Sequence, residues 1–134
     1  MLALLPAFAS AQILCFATSL SAKRIRLQLA LPQEGTITGF VRYEWGSSHI
    51  PLVWVSEVAV SPPPQVPAVV KTTFAEQING KRTGQYVLTT QGASVGELAY
   101  SAQKDDKLIT FYEDHDAAGG DACDWSEKRS SGAQ

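Results

Sequence analysis

Acid–base chemistry near neutral pH has two candidate side chains in this sequence, the histidines at positions 49 and 115. His49 follows Ser47 and Ser48, and a serine beside a histidine is one arrangement of an activated nucleophile. Neither serine lies in a G-x-S-x-G elbow, however, and no acidic residue stands at a recognisable spacing to orient the ring. The glycine-containing run 92–96 does not make a phosphate loop, because no lysine follows it and no helix begins there. We therefore expect that the protein is not an enzyme, and a hydrolase is the enzymatic alternative.

The second histidine lies in an acidic segment, residues 113–116, at the end of the last predicted strand. Asp114 and Asp116 occupy the first and third positions of a calcium-binding loop, and a glycine occupies the sixth. The fifth and twelfth positions hold alanine and tryptophan, which supply no side-chain oxygen. We expect a solvated acidic turn here. The alternative is a loose calcium site built from Asp114, Asp116 and Asp121, with Asp124 beside them. The sequence carries no cofactor fingerprint, so we expect no cofactor.

The two cysteines, Cys15 and Cys123, lie near opposite ends of the chain. An even number of cysteines in a short exported chain is typical of a disulfide. Zinc is the poorer interpretation, since neither cysteine has a Cys or His neighbour at ligand spacing. We expect a Cys15–Cys123 disulfide that clips the two ends of the domain together. In the chain-entropy model, a loop of about 100 residues gives such a bridge ~4–5 kcal/mol of stabilisation.

The first eleven residues resemble the end of a secretory signal peptide. Residues 2–8 are apolar apart from a proline, and Ala9-Ser10-Ala11 follows as a small-residue cleavage signal. We therefore assign 1–11 to a signal peptide remnant and expect a periplasmic or secreted protein that begins at Gln12. The alternative is a buried N-terminal strand or helix. Lipidation at Cys15 is not expected, because the residues before it are not small.

The composition is that of one globular domain, with 134 residues of which 45% are hydrophobic and 18% charged. These proportions exclude a disordered chain, a collagen-like fibre and a coiled coil. The net charge of -2 provides no basic excess for binding nucleic acid. No apolar run reaches the roughly 18 residues of a membrane-spanning helix. We assign residues 12–125 to a single β domain and 126–134 to a flexible C-terminal tail.

The body of the chain is patterned as β-strands. From Ala22 to Leu31, apolar residues alternate with a second set that should form a solvated face, namely Arg24, Arg26, Gln28 and Ala30. A second strand runs from Thr36 to Trp45, with Gly39 at a bulge or a close approach. A third, from Ile50 to Val60, is apolar on both faces and should be buried on both sides. The prolines at 62–64 then indicate a stiff connector between two sheets.

The remaining strands are predicted to form an antiparallel meander. Asn79-Gly80 is a strong hairpin signal and makes 69–78 a strand, although its apolar spacing also fits a helix. A bulge at Gly84 would place Tyr86 opposite Phe74, and a four-residue loop after residue 103 would place Tyr100 opposite Phe111. We therefore predict an all-β fold of antiparallel meander sheets, packed as a small sandwich or a strongly bent sheet.

Aromatic side chains with polar groups are concentrated around one loop, and they suggest a protein-binding surface. Tyr43 and Trp45 precede Ser47, Ser48 and His49, and such aromatic residues are enriched at binding hot spots. The competing interpretation is that Trp45 and Trp54 belong to the core.

A second candidate surface is the strand face that carries Arg24 and Arg26, which could meet an acidic partner. The expected function is an exported protein, monomeric or homodimeric, that binds and blocks another protein, as an inhibitor or immunity protein does. The alternative is a structural or adhesive component of the cell envelope, which should expose long unpaired strand edges.

Overall fold

The described residues form eight antiparallel β-strands that close into a barrel. In this computed structural model, the description covers residues 12–19, 23–33, 35–46, 48–60, 66–105, 107–119 and 122–126. The strands are β1 (Ile13–Ala17), β2 (Arg26–Ala30), β3 (Thr38–Tyr43), β4 (Ile50–Val60), β5 (Val69–Ile78), β6 (Lys81–Gln91), β7 (Ser94–Ala102) and β8 (Leu108–Glu113), and a short 3-10 turn (His115–Ala117) follows. The predicted signal peptide remnant and almost all of the predicted tail lie outside the described residues.

Each strand pairs with the next along the chain, and β8 returns to β1. The all-β, antiparallel prediction is thus confirmed, but the sheet closes on itself instead of forming a sandwich or a bent sheet. The alternation of apolar and polar residues specifies which face of a strand is buried. This alternation is the same in a strand of a sandwich and in a strand of a small barrel. The pattern therefore could not distinguish the two architectures.

Large side chains from alternate positions fill the interior of the barrel. Every strand contributes to this core, whose buried members are Leu14, Phe16, Leu27, Leu29, Val41, Leu52, Phe74, Tyr86, Leu88, Leu98 and Phe111. Eight strands enclose a space that side chains can fill or that can admit one small ligand. Because burying each such side chain contributes roughly 1.5–3 kcal/mol, this cluster is the main source of the barrel's stability.

The β5–β6 hairpin forms at Asn79-Gly80, as predicted, and both residues have positive φ angles of 53° and 78°. Tyr86 pairs with Phe74, which confirms the predicted register. The bulge lies next to Gly84: Glu76 pairs with Gly84 and Gln77 pairs with Arg82, so the extra residue falls between these two pairs.

The predicted pairing of Tyr100 with Phe111 is wrong. Tyr100 pairs with Ile109, and Phe111 pairs with Leu98. The last pair before the turn joins Ser101 to Leu108, so residues 102–107 form a longer connection than the four-residue loop that was expected. Lengthening the loop by two residues shifts the pairing but keeps every side chain on its predicted face.

The second half of β4 leaves the barrel, which contradicts the prediction that this strand is buried on both sides. Leu52 is fully buried, but Val55, Val58 and Val60 are exposed. A bulge after Trp54 marks the change, and β3 pairs with β4 only as far as Val53. The proline-rich segment therefore connects two neighbouring strands of one barrel and not two sheets, and its residues 61–65 lie outside the described ones.

The segment after β8 crosses the outer surface of the first strands. We call residues 114–119 and 122–126 the C-terminal strap. The Cys15–Cys123 disulfide is present and ties the strap to β1, as predicted. The Cys123 N–H donates to Oε1 of Gln28 over 2.8 Å, and Arg26 donates to the carbonyl of Trp125 over 3.4 Å. Trp125 also packs beside the disulfide.

This strap corrects the prediction of a solvated face on β2. Gln28 is 4% exposed and Ala30 1% exposed, because the side of the strand opposite the core is covered as well. Alternation of polar and apolar residues cannot reveal that a distant segment will return to cover the polar side. No helix within the described residues is long and apolar enough to cross a membrane.

Candidate functional site

Two stacked aromatic pairs, Tyr43 with Trp45 and Phe40 with His49, flank the β3–β4 connection, where the sequence predicted binding residues. We define the aromatic surface as Phe40, Tyr43, Trp45, Ser48 and His49. Trp45 is 66% exposed, so the interpretation that it is a core residue is wrong. Its ring stacks on Tyr43 with the two centroids 5.2 Å apart and the ring planes inclined by 23°. The exposed indole therefore rests on a second aromatic ring.

Tyr43 is anchored from inside the barrel. Its hydroxyl shares a 2.5 Å hydrogen bond with the hydroxyl of Tyr86, whose side chain is fully buried. Burial raises the pKa of both phenols above the ordinary tyrosine value, so both groups are neutral at pH 7. The exposed Trp45 thus sits on a ring whose position is set by the core.

His49 stacks on Phe40, which the sequence analysis did not identify. The two ring centroids are 4.0 Å apart and the planes are inclined by 11°. Phe40 pairs with Pro51 across the β3–β4 hairpin, and this pairing is the signal that could have placed Phe40 beside His49.

Among its described residues, the loop shows no assembled catalytic group. Ser48 is exposed, and within the described part of the chain no hydrogen bond or ion pair joins it to His49; Ser47 lies outside that part. Ser94 matches G-x-S-x-G by its letters, since it lies in Gly92-Ala93-Ser94-Val95-Gly96. It begins β7 after a hairpin turn, whereas a nucleophile elbow joins a strand to a helix.

The two arginines of the second predicted surface are paired within the chain. Arg24 lies 3.5 Å from Asp114, and Arg26 lies 3.5 Å from Glu44 and also donates to the strap. Arg26 is largely covered, whereas the Arg24 side chain is 37% exposed. Their role in binding an acidic partner stays a prediction.

The acidic turn makes one ion pair with Arg24 and one polar contact within itself. Asp114 is paired with Arg24, and His115 lies 3.3 Å from Glu113. Asp121 lies outside the described residues, and the described ones contain no group of three or more His, Cys, Asp or Glu side chains that could hold a metal ion. The calcium alternative therefore stays a prediction.

A pocket at one end of the barrel was not foreseen. We call it the Glu76 pocket; its volume is about 500 Å³, and it is lined by Glu76, Ile78, Arg82, Thr83, Tyr100, Ala102, Gln103 and Lys104. Oε1 of Glu76 accepts hydrogen bonds from the hydroxyls of Thr83 over 2.7 Å and Tyr100 over 2.9 Å. The signal was available in the sequence, since Glu76 alternates with Phe74 and Ile78 and therefore occupies a core-facing position of β5.

The outer half of β4 is a second surface that the sequence did not reveal. Beyond Trp54, no described residue pairs with β4 on its β3 side, so within the described part of the chain residues 55–60 form an open strand edge. Val58 is 58% exposed and Val60 51% exposed, and Val66 after the connection is also exposed. We call residues 55–60 the open edge of β4.

Comparisons with protein-family models, with curated proteins and with solved structures found no match to this chain.

Proposed function

We propose that this chain is an exported protein that binds and blocks another protein, as an inhibitor or immunity protein does, and that the aromatic surface contacts the partner. The observation that carries the proposal is the exposed Trp45 ring, stacked on a tyrosine that is anchored in the core. Large aromatic side chains that are held in place lose little conformational entropy on binding. They are also the residue types most enriched at binding hot spots.

The remainder of the architecture supports a binding role. The Cys15–Cys123 disulfide is compatible with export, because such bonds persist in oxidising compartments. A closed barrel presents the β3–β4 connection on a rigid support, since β3 and β4 each pair with a neighbour on both sides along part of their length. A rigid support and a fixed aromatic anchor are what a tight inhibitor requires.

The test compares Trp45→Ala with a matched control, Ile37→Ala. Ile37 is 56% exposed, lies before β3 and makes none of the aromatic stacking contacts. Each variant is immobilised and used to capture partners from a secreted or periplasmic fraction, and the dissociation constant of any captured protein is then measured. Removing a central aromatic anchor costs ~2–4 kcal/mol, so we expect Trp45→Ala to weaken binding roughly 30- to 700-fold. Ile37→Ala should bind as the wild type does.

Thermal denaturation distinguishes a binding effect from a folding effect. Because Trp45 is exposed, its replacement should leave the melting temperature nearly unchanged. A captured partner that binds Trp45→Ala and the wild type equally would contradict the proposal, and the face around Arg24 would then be the next surface to test.

A second candidate, a structural or adhesive envelope component, is favoured by the open edge of β4. Unpaired N–H and C=O groups beside exposed valines form a template for pairing with another strand. Sedimentation over a range of concentrations tests this function, with Val58→Lys as the disrupting variant and Leu108→Lys as the control. Leu108 is 68% exposed and lies on β8, so its substitution adds the same charge elsewhere. Assembly that is abolished only by Val58→Lys would support this candidate, and a monomer at all concentrations would exclude it.

A further inference from the structure

The Glu76 pocket contains a buried acidic group that forms no ion pair with any described residue. The Glu76 residue is 5% exposed. None of the ion pairs observed among the described residues reaches Glu76. Two neutral hydroxyl donors, from Thr83 and Tyr100, contact one of its two oxygens. Because burial of a carboxylate is costly unless it is paired, this group is prepared for a positively charged partner.

The rim of the same pocket carries the opposite charge. Arg82 and Lys104 line the pocket and are both exposed, so they lie at its entrance. Lys104 makes no ion pair with any described residue, and Arg82 donates to Oε1 of Gln85 over 2.9 Å without an acidic partner. Ile78, which is 43% exposed, and Ala102 add apolar side chains to the lining. The pocket therefore combines a buried carboxylate, apolar side chains and exposed positive charges.

We propose that the Glu76 pocket binds a small zwitterion, with an ammonium group on the Glu76 carboxylate and an anionic group against Lys104 and Arg82. An aliphatic part of the ligand would lie along Ile78 and Ala102. The volume of about 500 Å³ is within the range of small-molecule sites and accepts one ligand of amino-acid size.

Ligands with one charge or none use this arrangement less well. A simple amine would meet two cations on entering the pocket, and a simple carboxylate would have to approach a buried carboxylate. A neutral ligand would leave Glu76 without a counter-ion. A zwitterion satisfies both ends of the pocket at once, and charge complementarity of this kind determines specificity.

Gly84 keeps the floor of the pocket in place. A Cβ atom at this position would lie 2.8 Å from the hydroxyl of Tyr100 and 2.8 Å from the carbonyl oxygen of Ser101. Only glycine therefore allows the Tyr100 ring to cross β6 and direct its hydroxyl to Glu76. Across the strands, the residues paired with Gly84 are Glu76 and Ala102, and the small size of alanine leaves the space open.

The experiment titrates the full chain with four probes: ε-aminocaproate and L-norleucine as zwitterions, hexylamine as the cation alone and hexanoate as the anion alone. Binding is followed by the NMR chemical shifts of the pocket amides. We expect at least one zwitterion to bind with a dissociation constant below about 1 mM and at least tenfold more tightly than hexylamine, with no binding of hexanoate.

Two variants and one control locate the site. Glu76→Gln keeps an oxygen that can accept from Thr83 and Tyr100 but removes the charge, and it should weaken zwitterion binding at least tenfold. Lys104→Ala is a surface change that should weaken it several-fold while leaving hexylamine binding unchanged or stronger. Lys81→Ala, which is exposed but does not line the pocket, should have no effect.

The proposal is overturned if neither zwitterion binds, or if hexylamine binds as tightly as the zwitterions. It is also overturned if Glu76→Gln or Lys104→Ala, each with native chemical shifts elsewhere, binds the zwitterions as the wild type does. The outcome does not depend on the function proposed for the aromatic surface, because Trp45→Ala should leave these titrations unchanged.

Discussion

Removal of the Cys15–Cys123 disulfide should destabilise the whole barrel, because the bond lies beside the weakest part of the sheet. The pairing of β1 with β8 consists of Phe16 with Glu113 and Ala17 with Tyr112, and it is the shortest in the barrel. One further backbone bond, from the N–H of Asp114 to the carbonyl of Cys15 over 2.7 Å, extends it. The disulfide begins at the same residue of β1, so it holds together the place where the barrel closes.

The size of the effect follows from the length of chain that the bond spans. The two cysteines are 108 residues apart, and in the chain-entropy model a loop of that length is stabilised by about 4.8 kcal/mol. The strap keeps other contacts when the bond is absent, among them the hydrogen bond from Cys123 N–H to Gln28 and the packing of Trp125. These contacts preserve the folded geometry, so we expect the free energy of unfolding to fall by about 3–5 kcal/mol. The melting temperature should fall by about 10–20 °C.

The assay is urea denaturation of the oxidised wild type and of a double variant, Cys15→Ala/Cys123→Ala. The reduced wild type provides the matched control, and reductant added to the double variant should change nothing. A loss below about 1 kcal/mol would refute the reasoning, because the strap would then detach without opening the barrel. A change in Trp125 fluorescence at a lower urea concentration than the unfolding of the barrel would identify that local detachment of the strap.

Three further predictions concern the barrel itself. Gly39→Ala should destabilise the fold by about 1–3 kcal/mol or more in urea denaturation, because the added Cβ atom would lie 2.3 Å from the carbonyl oxygen of Ala30. The control, Gly46→Ala, should leave the stability nearly unchanged, because no atom would lie closer than 3.8 Å to its Cβ atom. Tyr43→Phe should cost about 1–3 kcal/mol by leaving the buried Tyr86 hydroxyl without its partner, and the double variant Tyr43→Phe/Tyr86→Phe should cost less than the sum of the two single changes. Burial raises the pKa of both phenols, so their stabilising contribution is complete below about pH 10, where unfolded tyrosine begins to ionise, and is lost as the pH rises further; the free energy of unfolding should therefore fall at high pH, and Tyr86→Phe should show a smaller fall.

Much of the fold could be predicted from local signals. The strand β2 was visible in the alternation from Ala22 to Leu31, and the β5–β6 hairpin in its Asn79-Gly80 turn. The disulfide followed from the number of cysteines. Gly39 was expected at a bulge or a close approach, and the structure shows the close approach, at the carbonyl of Ala30. Each of these features depends on residues that are close in sequence, except the disulfide, for which two cysteines allow only one pairing within the chain.

The features that sequence reasoning missed depend on distant contacts. Closure of the sheet requires a particular tilt and stagger of all eight strands, which no single strand specifies. The strap covers Gln28 although it lies 95 residues further along the chain. The exposure of Val58 was equally hidden, because an apolar strand that extends beyond its neighbour has the same pattern as a buried one.

The two candidate sites also differ in whether their residues are close in sequence. The aromatic surface was found because its members lie within a short stretch, and the stacking of Trp45 on Tyr43 is a local contact. The Glu76 pocket combines residues of three strands and a turn, so only the register of those strands brings Thr83, Tyr100 and Glu76 together. A single acidic residue at a core-facing position was the one sequence signal of that site.

The closure between β1 and β8 also sets the order in which the protein can mature. While a chain is still emerging with its N-terminus first, β1 can pair with β2 but has no second neighbour until the last strand arrives. Cys15 therefore remains a free thiol at least until Cys123 has been made, and contacts between residues so far apart in sequence make folding slow. Since the chain has two cysteines, no incorrect bond can form within one molecule. The error to be avoided is a bond between two chains, so the yield of native protein should depend on how dilute the newly made chains are.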